Sequence, residues 1–303
     1  MPVAPTVEKF REYLEVTPFE LFFSGLRGKT QSSESVSLKN TGSIPMQIVN
    51  LQVVGTQAST FSVTGAPGMP FVLAPEASIN LTLTFAAPAD SEPGVQRARL
   101  RIVRPRDDDG PPVDLSALVT SGSSPEEEPP LQQILEALGY AVEVGGAGRV
   151  LSAQRSGDEV DAPRFQRAKA ANVGLYLIAR YSAAVDSIFG TYTLENGKSK
   201  LHRLGGSDKE QHQTLNPELS PESQTNFDSD EAEFGLFVKS GKTTVYSEDG
   251  RNQGSDRHRV RIYPLLSRGR TVVQDAYVAA FDEDGDQDYQ DHVFLVWNVK
   301  PAS

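Results

Sequence analysis

Short alternations of apolar and polar residues, each closed by a turn signal, constrain this chain more than any other feature. Ser35-Val36-Ser37-Leu38-Lys39 alternates and stops at Asn40-Thr41-Gly42. Ile79, Leu81, Leu83 and Phe85 face one way while Thr82 and Thr84 face the other. Ala98, Leu100 and Ile102 alternate with Arg97, Arg99 and Arg101. Side chains alternate across a strand, so this pattern buries one face of a sheet and wets the other. Residues 19–24, 48–54, 61–63 and 113–120 add further short strands, with turns around 65–70 and 107–112. Strands this short at this spacing predict an antiparallel, immunoglobulin-like β-sandwich over residues 1–123.

Ser121-Gly-Ser-Ser-Pro-Glu-Glu-Glu-Pro-Pro reads as a linker. It runs into the one convincing helix, where Leu131, Ile134, Leu135 and Leu138 fall at i, i+3, i+4 and i+7 and Gly139 ends the run. Pro130 suits the first turn, and the glutamates favour the positive end of the helix dipole. β character then returns at 140–144, 173–181, 187–194, 234–239, 243–246, 259–263, 276–281 and 293–299. Residues 205–232 are polar with little periodicity, and so long a loop usually carries a function. The expectation is an all-β chain, its second domain (124–303) an acidic β-sandwich or jelly-roll-like unit with one short helix.

Charge separates the halves. Up to Ser124 there are 10 Lys+Arg against 12 Asp+Glu, and after it 19 against 28, together with all four histidines. A net charge of −11 argues against nucleic acid as a partner, because phosphate contacts need clustered Lys and Arg. The run Arg97, Arg99, Arg101, Arg104 and Arg106 reads as the wet face of one strand. With no cysteine, disulfides, thiol nucleophiles and Cys-ligated zinc are excluded. No apolar run is long enough to span a membrane as a helix.

The densest chemistry lies in 281–291, Phe-Asp-Glu-Asp-Gly-Asp-Gln-Asp-Tyr-Gln-Asp, directly before an apolar strand pattern. Asp282, Glu283, Asp284, Asp286, Asp288 and Asp291 place six carboxylates within ten residues. So much like charge on a short segment predicts a bound cation, and hard oxygen ligands at alternating positions suit Ca²⁺. A helix–loop–helix calcium site does not fit. Counting from Asp284 puts Tyr289 where a glycine is required, and counting from Asp282 puts Val293 where a bidentate Glu belongs. The segment reads instead as a strand-connecting loop, with Asp282, Asp284, Asp286 and Asp288 sharing one side of extended chain. Calcium takes six to eight oxygens, so a second contributor is needed. Glu248 and Asp249 are the best candidates, with Asp228 and Asp230 more remote.

Other chemistry is weakly signalled. Acids abound, but a glycosidase pair needs a cleft and a separation that a sequence does not give. His202, His212, His258 and His292 form no metal-binding pair, and there is no Gly-x-Ser-x-Gly elbow. Gly25-Leu-Arg-Gly-Lys-Thr lacks the spacing of a phosphate loop. For a glycan ligand, rings that stack on sugar faces matter. Tyr289, inside the acidic segment, is the first candidate; Trp297, the only tryptophan, is the second, although its phase with Val293, Leu295 and Val299 also fits the core.

Two stretches carry a family likeness. Val36-Ser-Leu-Lys-Asn-Thr-Gly-Ser, Phe61-Ser-Val and Leu73-Ala-Pro resemble bacterial immunoglobulin-like modules of the choice-of-anchor D and Hydin-like group, which implies a spacer or protein-binding sandwich. Phe234-Gly-Leu-Phe-Val, Arg259-Val-Arg-Ile-Tyr-Pro and Ala280-Phe-Asp-Glu-Asp…Asp288-Tyr-Gln-Asp-His-Val-Phe resemble calcium-linked C-terminal β domains of bacterial exported proteins. That resemblance places Glu283, Asp284, Asp288 and Asp291 at the acidic positions, with Gln290 where Asn is more usual. It implies an extracellular or cell-surface setting, with any export signal upstream of Met1. The functional expectation is a non-catalytic, calcium-dependent binding or adhesion module with a glycan or a surface protein as partner. The alternatives are a calcium-stiffened spacer of a large surface protein and a polysaccharide-active enzyme.

Overall fold

In the computed structural model, which describes residues 13–28, 31–230 and 232–302, the alternating stretches become strands of two β-sandwich units. One unit comprises residues 1–92 and 96–117, the other 93–95 and 118–303. The first residues of the chain, and Lys29 and Thr30 of the phosphate-loop lookalike, lie outside the described residues.

In the first unit, one antiparallel sheet has the order Leu14–Thr17, Gln31–Asn40, Ser78–Ala86, Phe61–Thr64; the other runs Glu20–Leu26, Val113–Thr120, Gly94–Val103, Asn50–Val54. Val36, Leu38, Leu81, Leu83 and Phe85 are fully buried, as their alternation requires. Phe85 meets Phe61 and Phe23 with ring centroids 5.0 and 6.2 Å away. Ala98, Leu100 and Ile102 point inward, and Arg99 and Arg101 reach Asp114 and Asp109 on the wet face. The Asn40 turn is built from inside: its amide nitrogen donates to the carbonyls of Ile44 and Leu73, and its Oδ1 accepts from the Gly42 amide.

The second unit has a sheet of order Gln213–Leu215, Val173–Tyr181, His292–Trp297, Val272–Phe281, Val260–Leu266, with Asn226–Phe227 added beside Val173–Tyr181. A four-stranded sheet runs Lys198–Ser207, Ser187–Glu195, Gly235–Ser240, Thr243–Tyr246. Phe189, Leu236 and Val238 from the smaller sheet join Leu175, Phe281, Phe294 and Val296 from the larger in one apolar core. The helix Leu131–Ala137 buries Leu131, Ile134 and Leu135, with Leu138 also buried at its end. The acidic segment joins two neighbouring central strands, Val272–Phe281 and His292–Trp297, so its geometry is set by their register, Phe281 opposite His292.

Three expectations change. Residues 140–144 form no strand: the Val144 amide is taken by the Gln132 side chain and that of Glu143 by Asp158, which leaves no ladder although Val142 and Val144 are fully buried. Lys198–Ser207 is a strand that the sequence hides, because its first half is an exposed edge with no apolar face. The polar stretch 205–232 includes the short strands Gln213–Leu215 and Asn226–Phe227, held by pairing to Val173–Tyr181.

Phe294 is 1% exposed, with Phe189 and Phe281 at 5.0 and 5.5 Å. Phe294→Ala therefore removes the centre of the second core, and chemical unfolding of this unit should show a loss of about 3–5 kcal/mol. A loss below ~1 kcal/mol would mean that the site collapses around the deletion and that Phe294 is not central.

Candidate metal centre

The chain cannot stay extended between Phe281 and His292, because Gly285, Gln287 and Tyr289 have φ of 82°, 68° and 57°. A left-handed residue at every second position folds the segment on itself. Extended alternation, which would have set Asp284 beside Asp282, is lost. Instead the carboxylates of Asp282, Asp286 and Asp288 converge, with ligand oxygens all within 4.8 Å of one another. Asp282 turns back on its own loop and accepts the amides of Gly285 at 2.6 Å and Gln287 at 3.1 Å.

Cations have come to this cluster from elsewhere in the unit. Arg149 Nη1 donates to Asp286 at 2.7 Å and Asp288 at 3.2 Å. Arg259 lies 3.7 Å from Asp282 and donates to the carbonyls of Asp282 and Glu283. Its guanidinium packs against Gly285, where a Cβ would lie 2.6 Å from it. Nothing in the sequence around Arg149 signals this role, because it lies 137 positions from Asp286.

Even so, the charge is not balanced. Asp288 is 2% exposed, and burial, then Asp286, Asp282 and Glu128, push its carboxyl up to about 8. Burial raises Asp282 as well, against its two backbone donors and Arg259. Asp288 Oδ1 is buried with no hydrogen-bond partner, and so is Oε1 of the fully buried Gln290. Buried acceptors of this kind are costly unless an ion, water or proton meets them.

The other proposed ligands sit apart from this trio. Asp284 faces a cavity of about 530 Å³ that also meets Glu283, Lys242, Thr243, Tyr246 and Arg259. Asp291 accepts the Glu283 amide at 2.5 Å, and burial and the neighbouring Glu283 hold its carboxyl well above the usual range. Glu248 accepts from Tyr192 and Arg251, and Asp249 lies 3.1 Å from His258 Nδ1. Neither belongs to the cluster around Asp288. Asp228 pairs with Arg167. Tyr289 corrects an expectation: it is fully buried, its hydroxyl donates to the His258 carbonyl, and Arg261 lies 4.4 Å over its ring, so it offers no surface. Trp297, by contrast, departs from the core reading of its phase. It is 50% exposed at the last position of its strand, on the face opposite Phe294 and Val296, where burial falls from Val293 through Leu295.

Two histidine networks had no sequence signal. His292 Nε2 is 2.8 Å from Ser187 Oγ, and its Nδ1 is 2.6 Å from Glu283, which also accepts from Ser240. The order is that of a nucleophile, base and acid. Ser187, however, is 3% exposed and His292 fully buried, so the trio ties the two sheets together away from solvent. Burial would raise Glu283, but His292, Ser240 and Arg180 outweigh it and hold the carboxyl below its ordinary range.

In the second network His258 bridges Glu159 at 2.8 Å and Asp249 at 3.1 Å, and Arg261 donates to Glu159 at 3.1 Å. The bond to Glu159 raises the His258 pKa against partial burial, with Asp249 adding to it. A raised folded-state pKa gives stability that is complete below the unfolded value, about 6.5, and lost as pH rises through the folded value. Wild type should therefore lose stability relative to His258→Gln as pH rises through that window, measured by urea unfolding at constant chelator. A pH-independent difference between the two would refute the bridge.

No family model and no curated protein matches the sequence. Among solved structures, a family 123 glycoside hydrolase from Clostridium perfringens is similar at 10% identity and TM-score 0.28, over 37% of this chain and 24% of that one. The PapD-like domain 7 of human CEP192 is similar at 14% identity and TM-score 0.26, over 40% and 98%. The Pseudomonas aeruginosa CupB2 chaperone gives 8% identity and TM-score 0.30, over 85% and 95%. This chain thus spans about a quarter of the length of the hydrolase. The sandwich assignment rests on the sheet order above, and likenesses at these scores add no argument to it.

Proposed function

We propose that this protein is a non-catalytic, calcium-dependent binding module of the extracellular type, in which a cation held by Asp282, Asp286 and Asp288 sets the shape of the strand connection. The observations that carry the reading are the convergence of three carboxylates, two of them buried, and an Asp288 oxygen that has no partner. All-oxygen donors on a non-helical loop suit calcium better than magnesium, which demands a near-ideal octahedron. Modules outside the cell work at free calcium high enough for sites of modest affinity. The cation's effect reaches a ligand surface through the chain itself, since Glu283 and Asp284 follow Asp282 directly and wall the 530 Å³ cavity. That volume is in the range of small-molecule sites, and its lining of threonines, Tyr246, Lys242 and Asp284 matches a polyhydroxylated ligand such as a glycan.

Asp288→Asn separates cation binding from folding. Without a cation the native loop favours a protonated Asp288, so the isosteric amide should leave thermal stability in chelator unchanged or higher. The same variant should lose the gain that calcium gives wild type, which is ~2.7 kcal/mol at 100 times Kd. Because bound protons must leave first, wild-type affinity should rise with pH toward 8. The absence of any calcium-dependent melting shift in wild type would refute the site.

Ligand recognition is tested on a glycan array with and without calcium. Calcium-dependent binding that falls in Lys242→Ala supports a glycan at the cavity. A flat array beside a large calcium-dependent gain in stability would leave the stiffened spacer as the function.

A further inference from the structure

With one converging oxygen apiece, Asp282, Asp286 and Asp288 leave a calcium shell of six to eight oxygens incomplete, to be filled by nearby groups or water. The fully buried Gln290 points to the source. Its Nε2 lies 2.7 Å from Asp288 Oδ2 and 3.1 Å from Glu128 Oε2, so one nitrogen stands between two carboxylates where a cation would be expected. Its Oε1, the oxygen a cation could use, is buried without a partner, as is Asp288 Oδ1. Glu128 itself is 8% exposed and also accepts from Gln213 Nε2 at 2.5 Å. Among the described residues, no arginine or lysine pairs with it. In the sequence, Glu128 belongs to the Ser/Glu/Pro-rich stretch just before the helix.

Charge favours the same assignment. Around this point Asp282, Asp286, Asp288 and Glu128 face Arg149 and Arg259. The carboxylates outnumber the guanidiniums paired with them, which favours a divalent cation among them.

We infer that Glu128 and the Gln290 side-chain oxygen complete the shell of the cation held by Asp282, Asp286 and Asp288, so that calcium fastens the segment entering the helix to the connection between the two central strands. This rests on the calcium reading above. For Gln290 it requires only rotation of the amide, which exchanges Nε2 and Oε1 in nearly the same space. The cation is then a clasp between Glu128 and Gln290, 162 positions apart, and it decides how firmly the end of the linker is held to its own unit.

The test uses the full chain stripped with chelator. Calcium is titrated by calorimetry into wild type, Glu128→Gln and Glu128→Asp, and hydrogen exchange is followed with and without calcium on peptides covering 121–137 and 282–291. In wild type, calcium should slow exchange in both peptides. Glu128→Gln should weaken calcium at least tenfold and, at saturating calcium, lose the protection of 121–137 while keeping that of 282–291. Glu128→Asp keeps the charge but withdraws it by one methylene, and should fall between the two. Melting in chelator shows that each variant is folded, and the Asp variant carries the test if the Gln variant is not. Wild type that binds no calcium overturns the calcium reading and this inference with it. Wild type that binds, with both variants within twofold of it and 121–137 equally protected, overturns this inference alone.

Discussion

The second unit depends on carboxylates held where water cannot reach them. Asp282 and Asp288 lie between two central strands, and neither the guanidiniums nor the backbone amides around them cancel their charge. Desolvation of an ion costs several kcal/mol, and attraction offsets it only with good geometry and satisfied lone pairs. Where lone pairs stay unsatisfied, as at Asp288 and Gln290, the fold leaves room in its electrostatics for something that arrives from solution. The apolar core beneath supplies stability that tolerates this strain, with Phe189, Phe281 and Phe294 packed directly below His292 and the start of the loop.

Much of the architecture was legible because strand burial writes itself as alternation. Val36, Leu38, Leu81, Leu83, Leu100 and Ile102 are all inside, and the arginines between Ala98 and Ile102 stay wet. Legibility ended where partners rather than pattern decide. Lys198–Ser207 is a strand only because Ser187–Glu195 offers it a ladder, and 140–144 is not one because side chains take its amides.

The candidate site was legible in composition but not in geometry. Spacing drew attention to the ten residues that contain the carboxylate cluster, yet the three left-handed residues reorder which acids meet, and backbone conformation at Gln287 and Tyr289 is not signalled by their identity. The partners brought from afar, Arg149 and Glu128, have no local signature, whereas Gln290 lies within the segment itself. Tyr289 looked like a recognition residue by its position and is instead a buried strut between Arg261 and the His258 carbonyl.

The edge strand Lys198–Ser207 has a consequence beyond this unit. A free sheet edge presents unpaired amides and carbonyls that can template another chain. Here the outer half of the strand carries Lys198, Lys200 and His202, all exposed, and its register slips at Phe189/Gly190 opposite it. Lysines along an edge, with a break in the ladder, discourage edge-to-edge growth between molecules. Residues that carry no apolar face of their own thus act as a brake on growth at this edge, while the inner half of the strand is covered by the amides of Ser220 and Gln224.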